Sequence, residues 1–189
     1  MTTKGIVLGL IAFVLSVFFG LNEEAVNSVV NWLDPPPAGL ARVEEVIDGD
    51  TAIVRFGEGQ ERVRFIGVDT PETNHPDKAV QCFGQAATDY LTDLIEGENV
   101  RLEADPTNTN RDRYDRLLRY VYLEDGTLVN QKIISEGYGF AYTAFPFQKM
   151  DLFNATERQA RDSGAGLWSA CEVEESGDFI NTVPAEVGG

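Results

Sequence analysis

Histidine is almost absent from this chain. Of 189 residues only His75 carries an imidazole. That excludes a metal centre built on several histidines and makes any Ser/His/Asp or Cys/His nucleophile depend on one side chain. Cysteine is nearly as scarce: Cys82 and Cys171 form no CxxC pair, so a zinc ribbon is not indicated. Basic charge is short as well. Four lysines and eleven arginines stand against 31 Asp and Glu, a net charge of −16 with a sequence pI near 4.3. A uniformly basic wrapper of nucleic acid is excluded, although an enzyme with a local basic site is not. Apolar side chains, by contrast, make up 43% of the residues and aromatics 10%, enough for one real core at this length.

Residues 5–21 (GIVLGLIAFVLSVFFGL) contain no charge. As a helix they would span about 26 Å, close to the ~30 Å of a hydrocarbon core. A single N-terminal membrane-spanning helix is therefore expected. A cleaved signal peptide, which would leave the protein secreted, would want a stronger basic start and a small-x-small site. Lys4 precedes the segment and Glu23 and Glu24 follow it, which orients the body outside the cytoplasm. Residues 22–33 can continue as a juxtamembrane amphipathic helix. The prolines 35–37 then break it, so residues 34–39 are read as a stiff linker between the anchor (1–33) and a folded body (40–171). Residues 172–189 hold five acids and no base and are expected to be a disordered acidic tail.

Within the body, residues 40–67 are rich in Val, Ile and Phe with turn signals at Asp48-Gly49 and Gly57–Gly59, and predict three strands. Helical spacing predicts a helix over 83–96, stopped by Gly97. A strand is expected at 99–104, a polar loop at 105–115 and a strand at 116–123. A helix near 128–136, a short strand near 138–142 and a last helix over 149–163 follow, with Leu167 and Trp168 docking back on the core.

Three clusters carry candidate chemistry: Ile47-Asp48-Gly49-Asp50-Thr51, the run from Arg64 to Glu72 (RFIGVDTPE), and the arginine-rich Arg111–Arg116. Each alone has a plain explanation. Asp-Gly-Asp makes a good turn, Thr-Pro-Glu a good loop start, and an arginine-rich loop a solvated face. Together they supply hard oxygen ligands for a divalent cation from Asp50 and Asp69. Two arginines can grip a phosphate and spread its developing charge, and Glu72 can orient or deprotonate a water. His75 is read as a surface-loop residue rather than a catalytic one.

On these motifs residues 41–171 resemble the thermonuclease family, the staphylococcal-nuclease-like domains. The matching stretches are IDGDT at 47–51, RFIGVDTPE at 64–72, Phe83-Gly84 and Ala86 at a helix start, DRYDR at 112–116, Leu128-Val129-Asn130, Glu136-Gly137 and Leu167-Trp168-Ser169. The resemblance implies an α+β fold, an OB-fold five-stranded β-barrel flanked by three helices. It implies a Ca²⁺-dependent nuclease acting on DNA and RNA, preferring single-stranded or frayed substrate and leaving 3′-phosphates. By the same resemblance Asp50, Asp69 and the Thr70 carbonyl are metal ligands, Glu72 orders or activates water, and Arg64 and Arg116 hold the phosphate. Arg113 and Tyr114 would touch the nucleotide's phosphate and Tyr142 would stack on the base, with Phe145 able to supply a second π face. The chain departs from the family at Asp115, which stands where glycine is usual.

If the body lies outside the cytoplasm, a disulfide between Cys82 and Cys171 is expected; two unrelated buried thiols are the alternative. An active, tethered, monomeric nuclease and a catalytically silent nucleic-acid- or protein-binding module on the same barrel remain as function classes. Retention of Asp50, Arg64, Asp69, Glu72 and Arg116 favours the first. Few lysines with abundant Asp and Glu is also the composition of a salt-adapted protein, so a halophilic source is expected.

Overall fold

The computed structural model describes residues 37–57, 59–73, 80–176 and 179–184, with scattered positions between 10 and 26. The chain divides into two units, Met1–Pro37 and Ala38–Gly189, and the division falls inside the linker read at 34–39. In the first unit most described positions are helical. The expected membrane span over 5–21 and the helix over 22–33 lie mostly outside the described residues; among those described, no helix is long and apolar enough to cross a membrane.

In the second unit alternating apolar residues build β1 (Ala41–Asp48), β2 (Thr51–Phe56) and β3 (Gly59–Phe65). They pair antiparallel in sequence, β1 with β2 and β2 with β3. In β1 the buried positions run Ala41, Val43, then Val46, so the strict alternation slips by one residue. A register shift between Val43 and Glu45 accounts for it: a bulge adds a residue and returns the next apolar side chain to the interior. β4 (Val68–Asp69) follows, then α1 (Gly84–Ile95), β5 (Asn99–Glu103) and β6 (Leu117–Leu123). Strands β1-β2-β3-β6-β5 close into a barrel, with β3 and β6 parallel and β5 returning to β1 through Ala41↔Val100 and Arg42↔Asn99. α2 (Val129–Ser135), the short β7 (Phe140–Ala141), α3 (Met150–Ser163) and a single-turn α4 (Leu167–Ala170) complete the body. The five-stranded barrel with its accompanying helices is the architecture the sequence led us to expect.

The core joins barrel and helices. Val43, Val54, Val63, Phe65, Val100, Tyr120 and Val121 from the strands meet Leu91 and Ile95 of α1, Ile133 and Ile134 of α2 and Phe153 of α3. α1 buries Gly84, Ala87, Leu91 and Ile95, one face at helical spacing. Leu167 is fully buried, as expected of a docking residue, whereas Trp168 sets its ring edge-on to Phe140 at 5.4 Å. Two buried polar residues tie elements together. The Asn130 amide donates to the Ile66 and Arg119 carbonyls and accepts from the Val121 amide, fixing the start of α2 to the barrel. Asp105 accepts from Thr107, the Tyr120 hydroxyl and the Gln148 amide, fixing the polar loop to β6 and to the approach of α3.

The tail departs from the expectation of disorder. Residues Val173–Ser176 (β8) and Phe179–Thr182 (β9) form an antiparallel hairpin. Val173, Phe179, Ile180 and Thr182 are residues that favour strands, and the segment is held at its root. Cys171 is bonded to Cys82 across a separation of 89 residues, which confirms the expected disulfide. Thr182 Oγ1 donates to the Cys82 carbonyl, and the Cys82 amide donates to the Val183 carbonyl. Residues 185–189 lie outside the described set.

Candidate active site

The turn after β1 is shaped by its own side chains. Asp48 Oδ1 accepts from the Asp50 amide, and Asp50 Oδ1 from the Thr51 hydroxyl, each at 3.0 Å. Gly49 is required there for space: a Cβ would sit 2.7 Å from Thr70 Oγ1 and 2.9 Å from the Ala87 Cβ. The Asp-Gly-Asp sequence is therefore more than a turn, because it is clamped against the second cluster. Thr70 closes the clamp, its amide donating to Asp50 Oδ2 at 3.1 Å and its hydroxyl at 3.3 Å.

Arg64 stands at the centre. It leaves β3 with its side chain only 14% exposed, and one terminal nitrogen lies 3.1 Å from Asp50 Oδ2 and 3.0 Å from Asp69 Oδ1. The other donates to the Phe65 and Val68 carbonyls, so the guanidinium plane is fixed on both edges. Burial works against its charge, but Asp50, Asp69 and Asp48 outweigh burial and raise its pKa further. Asp48 also has its pKa raised, which for an acid favours the neutral form. Burial, then the neighbouring Asp50 carboxylate, raise its pKa to about 7. Asp50 and Asp69 thus face one guanidinium, with the partly neutral Asp48 beside them, an excess of negative charge suited to a hard divalent cation. Asp50, Asp69 and the Thr70 carbonyl could hold one. Among the described residues no group of three or more His, Cys, Asp or Glu side chains is arranged for a metal, so carbonyl oxygen and solvent would complete the shell.

The arginine-rich loop reaches the same place through one residue. Arg116 Nη1 lies 3.4 Å from Thr51 Oγ1, and its Nε donates to Asp112 Oδ2 at 2.7 Å. Asp112 also accepts from the Tyr114 and Arg116 amides; burial opposes its charge, but these bonds hold its pKa below the usual carboxylate value. Asp115 takes a left-handed backbone with φ 65°, the conformation that glycine adopts most cheaply and aspartate tolerates. Its side chain is 88% exposed and turns to Arg111 at 3.6 Å, so Arg116 pairs with Asp112 instead. Arg113 and Tyr114 stay on the exposed tip, with the Arg113 guanidinium 4.7 Å from the Tyr114 ring centre. Arg111 and Arg119 are engaged elsewhere, Arg111 by both oxygens of Glu61 and Arg119 by Asn110.

The pairing of β4 with β7 brings Tyr142 alongside. Its amide donates to the Gly67 carbonyl, its ring lies 6.1 Å from that of Phe145, and it is among the groups acting on the charge of Arg64. Glu72 follows Thr70 by two residues and is exposed. Its amide donates to Gln81 Oε1 at 2.7 Å. His75 lies outside the described residues. The sequence had marked Asp50, Arg64, Asp69, Thr70 and Arg116 as members of one site, and they are joined by direct contacts or through Thr51. Thr51, Asp112 and Gln81 were given no role. The first two lay inside quoted motifs; Gln81 had no signal.

Comparison with known proteins shows the family. The staphylococcal nuclease homologue family matches residues 62–170. A thermonuclease of Staphylococcus intermedius is 39% identical over 127 residues, 67% of this chain and 74% of that protein. A thermonuclease of Staphylococcus hyicus is 36% identical over 140 residues, 70% of this chain and 81% of that protein. The endonuclease YncB of Bacillus subtilis is 36% identical over 129 residues, 67% of this chain but only 60% of its own length. With a barrel of this topology and a family match over more than half its length, the chain belongs to the staphylococcal nuclease homologues.

Proposed function

We propose that this chain is a Ca²⁺-dependent phosphodiesterase that cleaves DNA and RNA and leaves 3′-phosphate ends. The observation that carries this reading is the junction of two arginines from separate segments with the Asp50–Asp69 pair: Arg64 by direct contact, Arg116 through Thr51. The names endonuclease and thermonuclease borne by its relatives support it.

Bound by Asp50, Asp69 and the Thr70 carbonyl, Ca²⁺ would neutralise the carboxylates and polarise a phosphate oxygen. Arg64 and Arg116 hold the two non-bridging oxygens of the scissile phosphate and stabilise the charge that builds there on attack. Glu72 takes a proton from the attacking water as its oxygen bonds to phosphorus. The bond from phosphorus to the 5′ oxygen breaks, and that oxygen leaves with a proton from solvent. Arg113 and Tyr114 hold an adjacent phosphate. Tyr142 and Phe145 offer π faces to an unpaired base, which favours single-stranded or frayed substrate.

The disulfide supports a site of action outside the reducing cytoplasm, consistent with a monomer tethered through residues 5–21 or released by cleavage there. Digestion of plasmid and single-stranded DNA with Ca²⁺, and then with chelator, tests the activity. Wild type should cleave only with Ca²⁺, and Glu72→Gln should lose about 10²–10⁴-fold in rate. A wild type that binds but never cleaves would identify a silent nucleic-acid-binding module.

A further inference from the structure

Glu72 is exposed, yet its main chain is bracketed by a single residue. Its amide donates to Gln81 Oε1 at 2.7 Å, and its carbonyl accepts from the Gln81 amide at 3.0 Å. From below, the carbonyl rests on the start of α1, where a Cβ on Gly84 would come within 2.8 Å of it. Gln81 is in turn held from the far side. It bridges to Pro184, and its Nε2 lies 3.5 Å from Asn181 Oδ1. Next to it, Cys82 is held by Thr182 and Val183 of the hairpin and by the bond to Cys171. A continuous set of contacts therefore runs from the C-terminal hairpin through Gln81 to the main chain of Glu72.

We propose that Gln81 is a positioning residue for Glu72, and that the C-terminal hairpin, stapled through Cys82–Cys171, holds Gln81 in place. This rests on the nuclease reading above for its effect on rate, though the positioning itself does not. A carboxylate that must meet a water on one face of a phosphate tolerates little displacement, and a misplacement near 1 Å can cost about 10²-fold. An exposed side chain has no packing to fix it, so its backbone must be fixed instead. Without the crosslink, residues 81–82 are held on their far side only by hydrogen bonds to a two-stranded hairpin, a unit marginally stable by itself in water.

The test uses the full chain as Gln81→Met, Gln81→Glu and the double variant Cys82→Ser/Cys171→Ser, with three readouts. These are kcat and KM on single-stranded DNA, amide exchange at Glu72, and the melting temperature. Gln81→Met keeps the shape but removes the acceptor. It should lower kcat about 10- to 100-fold, leave KM nearly unchanged and speed exchange at the Glu72 amide. Gln81→Glu keeps the acceptor for the Glu72 amide, and a turned Asn181 amide can donate to its other oxygen, so it should restore kcat and exchange protection, with only KM raised by the added negative charge. The double-serine variant should reproduce Gln81→Met in kcat and exchange while still melting cooperatively. Wild-type kcat and wild-type protection in Gln81→Met overturn the proposal. So does a rate loss in all variants that merely follows melting temperature. An inert wild type would refute the nuclease reading, and exchange at Glu72 would still decide the positioning.

Discussion

Arg64 shows how much one residue can be asked to do. Its guanidinium balances Asp50, Asp69 and Asp48, and in the proposed mechanism the same group holds the phosphate. Lysine cannot copy a planar fork with donors on two edges, so Arg64→Lys should lower kcat about 10²–10³-fold, read in the same digestion assay. Arg64→Ala should also destabilise the fold, because it strands the buried Asp50 carboxylate beside two other acids; a loss of about 3–5 kcal/mol in urea unfolding is expected. Asp48 gives a pH signature. Its folded pKa, about 7, lies above the ordinary 3.8 through burial and then Asp50. Between those values the folded state binds more protons than the unfolded one, so stability falls as pH rises and levels off above 7. In chelator, Asp48→Asn should flatten that slope between pH 4 and 7, measured by urea titration at each pH. At this scale the sequence was informative wherever chemistry dictates residue type: carboxylates, arginines and Thr70 stood in short motifs. Gln81 did not, because an amide that acts through main-chain contacts can sit in any polar loop. Thr51 carried no mark of linking Asp50 to Arg116.

At the scale of elements, apolar periodicity was enough for the barrel strands and for three helices, whose ends fell within a residue or two of those expected. It missed the strands over 173–176 and 179–182, in a stretch of 18 residues whose five acids and no base resemble a solvated tail. The hairpin there owes its order to partners about 100 residues away, Cys82 and Gln81, and long-range partners leave no local period. The double replacement of Cys82 and Cys171 by serine should therefore cost stability as well as rate. A closed loop of about 90 residues is worth roughly 4–5 kcal/mol in the chain-entropy picture, so a loss of about 2–5 kcal/mol in urea unfolding is expected. The loop over 105–115 was legible as polar but not as anchored. Asp105 is buried at 4% exposure, and its three sets of donors were scattered over 40 positions of sequence.

For the whole molecule the charge of −16 sets the conditions of work. Arg111 and Arg119 are committed to Glu61 and Asn110, so the site has fewer free cations than its arginine-rich sequence suggests. A body this acidic repels a polyanion at long range in dilute buffer. At 1 M salt the Debye length falls to about 3 Å, and the repulsion shrinks with it. Cleavage and melting temperature should accordingly hold or rise from 0.1 M to 2 M KCl at fixed Ca²⁺; a steady fall in both would count against a salt-adapted protein. The barrel also has an order of appearance. A ribosome emits the residues of β1 through β6 long before Cys171, and the crosslink that spans 89 residues has its second sulfur only after the residues of the last barrel strand and of all three main helices have been made. The covalent bond is therefore not available to set the register of those strands while they emerge; it can only lock strands that have already been synthesised.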